Sequence, residues 1–205
     1  MERKKQDHAP SGRKRKNGAS LVHRVIERHE SITRKDIADW KKARIQATND
    51  YEPRQVLLQN LYEEIMLDAL MSSQVGLRID KSQGGDFSLV QGGKTDEEQT
   101  RILKDSGLFD QLVELIVESK FYGCSLIEFS YTPDGIRADL VRRQNVAPKT
   151  GRFYPDTYGS EFVSYREEPE FGRWLVELYP REGDLGLLNK AVPYVLMKKF
   201  AMSCW

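Results

Sequence analysis

The sequence predicts an α+β fold, with long N-terminal helices packed against a small mixed or antiparallel sheet and a further helix at the C-terminal end. Three observations carry that expectation. Apolar residues recur at helical spacing across residues 53–71 and again across 108–121. Gly123 suits a helix C-terminus and runs straight into an alternating segment from Cys124 to Tyr131. Residues 186–205 return to helical spacing at Leu188, Val192, Val195, Leu196, Phe200 and Cys204.

The 205 residues suffice for one domain with a real core and no disulfide staples. Their net charge of +1 conceals an asymmetry. Residues 1–35 hold 11 Lys/Arg against 4 Asp/Glu, a net +7, whereas residues 36–205 hold 21 against 27, a net −6. The first large apolar residue is Leu21. Residues 1–30 are therefore expected to be a disordered basic tail, and residues 31–205 the folded domain. Within the tail, Arg13, Lys14, Arg15 and Lys16 form a cationic block. It could make a salt-sensitive nucleic-acid contact, but a solvated tail suits it better.

Along the domain, Thr33 is the expected N-cap of a first helix carrying Ile37, Trp40, Arg44, Ala47 and Tyr51 on one stripe. Pro53 is expected to open the next helix, which Gly76 should interrupt or loosen before it ends near Asp80. Its Glu63, Glu64 and Asp68 read as a solvated face. A strand over residues 86–90 and the Gly92-Gly93 turn follow. Thr95 and Glu98 form a capping-box pattern for the next helix, and Leu108, Leu112, Leu115, Ile116 and Phe121 continue a helical stripe. The turn Thr132-Pro133-Asp134-Gly135 then joins Cys124–Tyr131 to a returning strand over residues 136–141. Short strands are expected near Phe153-Tyr154, Phe162 to Tyr165 and Trp174 to Tyr179, and Pro193 should start or kink the last helix.

Motifs of enzymatic chemistry are missing from the sequence. His8, His23 and His29 lack metal-ligand spacing, and no nucleophile elbow, zincin motif or phosphate-binding loop occurs. Glu128 and Asp139, on the two hairpin strands, are the sole acids a metal-dependent nuclease could use, and a surface or structural role suits them better. Cys124 and Cys204 lack C-x-x-C spacing, and Cys124 reads as a small buried hydrophobe in a reducing compartment. No apolar run reaches the roughly 20 residues of a membrane span. The expectation is a non-enzymatic protein without catalytic residues, metal or cofactor.

Five segments occur in an order that resembles the portal proteins of Mu-like phages. They are Thr33-Arg34-Lys35-Asp36-Ile37-Ala38-Asp39-Trp40, Pro53-Arg54, Tyr122-Gly123-Cys124-Ser125-Leu126-Ile127-Glu128, Arg143-Gln144-Asn145-Val146-Ala147-Pro148 and Pro193-Tyr194-Val195-Leu196-Met197-Lys198-Lys199-Phe200-Ala201. The resemblance implies a wing-like α+β region of a ring subunit, usually one of twelve, at a capsid vertex. It implies a packaging motor, capsid and neck or tail proteins as partners, with double-stranded DNA passing through the ring and no membrane. The implied location is the virion, and the host cytoplasm during assembly. The apolar ending at Ser203-Cys204-Trp205 leads to the expectation that the wing-like region is incomplete at that end. Trp40 and Tyr51 are candidate subunit contacts. The basic tail leaves a second reading open, a small nucleic-acid-associated module.

Overall fold

The computed structural model describes residues 20–25, 36–133 and 135–204. Its helices and small antiparallel sheets make an α+β fold, as the alternation of periodicities predicts.

Helix α1 spans Ile37–Ala47. Its N-cap is Asp36, because Asp36 Oδ1 accepts from the Asp39 N–H at 2.9 Å while Asp39 Oδ2 accepts from the Asp36 N–H at 3.0 Å. Thr33, the expected cap, lies outside the described residues. The helix stops short of Tyr51, since Asn49 Oδ1 accepts the N–H groups of Tyr51 and Glu52 and turns the chain away. Pro53 lies in this connection, and α2 begins at Val56.

The expected single long helix is two, α2 (Val56–Met66) and α3 (Ala69–Gln83). Asp68 makes the break, its carboxylate accepting from the Leu70 and Met71 N–H groups. Gly76 does not interrupt α3, which carries it through at the modest cost of one interior glycine. Strands β1 (Leu89–Gln91) and β2 (Lys94–Asp96) pair across Gly92 and Gly93, both at positive φ. The strand is thus shorter than expected, and Thr95 belongs to β2 rather than to a cap. Asp96 caps α4 (Glu97–Asp105) instead, accepting from the Gln99 N–H at 2.9 Å.

Helix α5 (Leu108–Tyr122) ends at Gly123, whose φ of 91° is the left-handed value a helix C-terminus demands of glycine. Strand β3 (Ser125–Thr132) pairs with β4 (Gly135–Leu140) on one side and β8 (Leu175–Leu178) on the other. A second small sheet joins β5 (Val146–Ala147), β6 (Arg152–Phe153) and β7 (Val163–Ser164). Helix α6 (Gly186–Ser203) runs unbroken through Pro193. That proline withholds the N–H which the Asn189 carbonyl would otherwise accept.

Three cores divide the interior. Helices α1, α2 and α6 enclose Ala43, Leu58, Leu61, Tyr62, Ile65, Leu188 and Val192. Leu126, Val141, Val146, Phe153, Tyr165 and Phe171 form a second core around Leu21. A third, small one sets Leu115 of α5 on Ile127 and Ala138 of the hairpin. Leu126 and Ile127 are neighbours in β3 and feed different cores, so this strand is covered on both faces.

The segment Ser20–Val25 falls inside the stretch expected to be a disordered tail, yet it is docked. Leu21 has no exposed surface, and Glu128 Oε2 accepts the N–H groups of Leu21 and Val22, each at 3.0 Å. Burial of that one leucine contributes roughly 1.5–3 kcal/mol to holding the segment in place.

Candidate interaction surfaces

The described residues contain no group of three or more His, Cys, Asp or Glu that could hold a metal ion. Glu128 is occupied by the N-terminal segment, and Asp139 accepts from Arg137 Nε at 2.7 Å. Burial pushes the Cys124 thiol up to about 12, so this cysteine packs as a hydrophobe. Among the described residues, no helix is long and apolar enough to cross a membrane.

The Arg143-Gln144-Asn145 segment is a buried polar joint. Arg143 Nε donates to the Cys124 carbonyl at 2.9 Å, and its Nη2 donates to Glu118 Oε2 at 2.7 Å and Ser125 Oγ at 2.9 Å. The guanidinium carbon lies 4.3 Å from the centre of the Tyr122 ring. Gln144 reaches α2 by donating to Glu63 and to Asn60. Asn145 Nδ2 donates to the carbonyls of Tyr154 and Pro155 at 2.7 and 3.0 Å. One tripeptide thus ties α2, α5, β3 and the second sheet together.

The acids expected on a solvated face are also engaged. Besides Glu63, Glu64 Oε1 accepts from Lys199 Nζ at 2.6 Å and Asp68 Oδ2 from Lys198 Nζ at 2.5 Å. Glu63 is exposed as expected, whereas Glu64 and Asp68 are half-buried because α6 packs on α2 from far along the chain, which local spacing does not reveal.

Trp40 and Tyr51 are not brought together on one stripe. Trp40 is half-buried against the first core and donates from Nε1 to Asn189 Oδ1 at 2.9 Å. Tyr51 is 88% exposed although its loop is pinned. Lys149 Nζ donates to the Thr48 carbonyl at 2.9 Å and to Asp50 at 2.5 Å, and Arg152 donates to the Tyr51 carbonyl at 3.4 Å. Arg54 holds the other side through the Gly159 carbonyl at 2.7 Å. A fixed backbone therefore presents a free aromatic ring. Arg13, Lys14, Arg15 and Lys16 lie outside the described residues.

The larger apolar surface belongs to α6. Leu187, Tyr194, Met197, Phe200 and Met202 are all exposed, although the inner side of the same helix is core. A cleft of about 780 Å³ beside it is lined by Ile37, Glu64, Leu196, Met197, Lys199 and Phe200 among others. A helix apolar on all sides belongs in an interior. The sequence carries that signal, since α6 has no acidic residue and only three lysines.

Comparison with protein families matches residues 59–205 to the portal protein of Mu bacteriophage. The chain belongs to this family. Family members are structural proteins of the phage particle rather than enzymes, which accords with a site made of surfaces. No curated protein and no solved structure matches the portal chain. The two family-like segments at residues 122–128 and 143–148 are the ones that build the buried joint around Arg143.

Proposed function

We propose that this chain is a subunit of a homo-oligomeric ring, a dodecamer by its family resemblance, at one vertex of a phage or prophage capsid. Double-stranded DNA is packaged and later ejected through that ring. In this reading residues 31–205 are the wing-like α+β domain, and residues 1–30 include a basic tail whose Arg13, Lys14, Arg15 and Lys16 contact nucleic acid. The packaging motor, capsid and neck or tail proteins are the partners. The protein works in the virion after assembly in the host cytoplasm.

The family match over residues 59–205 carries this reading. The exposed apolar face of α6 and the presented Tyr51 ring support it, because a cyclic assembly needs two different patches on each subunit. Tyr51 supplies a subunit contact, and Trp40 contributes the part of its ring that Asn189 and Arg44 leave open. The charge asymmetry favours a second reading, a nucleic-acid-associated module acting through the tail.

Light scattering on a sizing column across salt concentrations tests both. A discrete species of about ten or more subunits, insensitive to DNA, is expected for the ring. A monomer that binds DNA at low salt and releases it steeply as salt rises is the result expected of the module.

A further inference from the structure

We propose that the outward face of α6 docks head-to-tail on the outward face of α4 in a second copy of this chain. The proposal rests on the ring reading and names the surfaces that would build it. On α6, Leu187, Lys190, Tyr194 and Met197 follow one another at three- and four-residue spacing, and all four are exposed. On α4, Glu98, Ile102 and Asp105 share one face at the same spacing, and Ile102 is 50% exposed.

Charge selects this pairing. Lys198 and Lys199 are held by Asp68 and Glu64 of the same chain. That leaves Lys190 as the cation on an outer α6 strip that has no acid of its own. The α4 face offers the opposite balance, Ile102 flanked by the carboxylates of Glu98 and Asp105, with the exposed Arg101 at its margin. The α1 surface is a poorer match because Lys41 and Lys42 are exposed there and repel Lys190. Length agrees as well. Residues 187–197 span roughly 15 Å of helix and the nine residues of α4 about 13 Å, so one strip covers the other.

The two faces are different surfaces of one chain, so the contact is heterologous and repeats from copy to copy until it closes. Tyr194 and Met197 meet Ile102 at the centre, where water is excluded. Lys190 meets a single carboxylate at the rim, Glu98 or Asp105 according to which end of α4 lies beside it, and there it fixes register rather than strength.

Zero-length carbodiimide coupling on an equal mixture of ordinary and nitrogen-15-labelled protein tests this. Mixed-isotope peptides joining Lys190 to Glu98 or Asp105 are expected. Light scattering on Lys190→Glu should show loss of the oligomer at concentrations where the parent assembles. The triple variant Lys190→Glu, Glu98→Lys and Asp105→Lys should restore it. All three residues are exposed, and unchanged far-ultraviolet circular dichroism would show that the variants fold. An oligomer that yields no mixed-isotope Lys190 link, or that ignores Lys190→Glu, overturns this contact and leaves the ring reading standing. A monomer with no such link overturns both.

Discussion

Gly123 and Gly186 meet backbone to backbone. A Cβ placed on Gly186 would lie 2.4 Å from the Gly123 nitrogen and 2.2 Å from the Phe121 carbonyl oxygen. Both residues have positive φ, 91° and 81°. The end of α5 and the start of α6 can approach this closely only because neither residue has a side chain. Tyr62 secures the junction from α2, donating its hydroxyl to the Leu185 carbonyl at 2.5 Å, and Gln59 donates to the Tyr122 carbonyl at 3.1 Å.

Gly186→Ala is expected to destabilise the fold by more than the roughly 1–2 kcal/mol of a left-handed alanine, because the overlap adds to it. Gly76→Ala should act in the opposite sense. It is helical, has nothing within 4 Å of a new Cβ, and should gain about 0.5–1 kcal/mol. Urea unfolding of the two variants checks the pair, and equal midpoints would refute the argument.

Arg143→Met is expected to cost about 3 kcal/mol, the low end for breaking a buried ion pair, because Glu118 keeps a 20% exposed side chain and can turn to water. Arg143→Lys should recover little of it. An ammonium cannot serve Cys124, Glu118 and Ser125 together while stacking on Tyr122. A lysine variant as stable as the parent in urea would contradict this account.

Thiol labelling should distinguish the cysteines. Cys204 is exposed and should react in the folded protein at mildly alkaline pH. Cys124 is buried with its thiol pushed up to about 12, and should react only in denaturant. Mass spectrometry of the labelled peptides reads the outcome, and fast native labelling of Cys124 would show that β3 opens.

Alkali should unfold the protein through two tyrosines. Burial raises the hydroxyls of both Tyr62 and Tyr165 far above their ordinary value of 10.0. The folded state holds these protons more tightly than the unfolded state. The stability this supplies is complete below about pH 10 and declines as pH rises beyond it. By tyrosinate absorbance, this buried pair should ionise only together with loss of circular dichroism. A single smooth absorbance titration with the dichroism intact would contradict the assignment.

Local rules made much of this fold legible. Gly123 closing α5, the alternation of β3, and the hairpin pairing of Thr132 with Gly135 all appear in the structure where short-range chemistry puts them, while Asp134 of the turn lies outside the described residues. Expectations failed where a nearby carboxylate or amide competed for the same backbone donors. Asp36, Asp68 and Asp96 cap helices that periodicity alone began elsewhere or ran together, and Asn49 ended α1 before Tyr51. The candidate surfaces were harder still. Trp40 was legible as a helix residue, but its bond to Asn189 spans 149 positions. The polar joint at Arg143 could be seen only as a run of residues in family order, because its partners are backbone atoms and side chains brought in by folding.

The docking of Leu21 on the second core also sets a leash. Ser20 is held beside Glu128, and Arg13 lies seven residues before it. At a fully extended 3.3–3.6 Å per residue, the cationic block can range no more than about 25 Å from that anchor. Any polyanion it grips must therefore pass close to the β3 sheet.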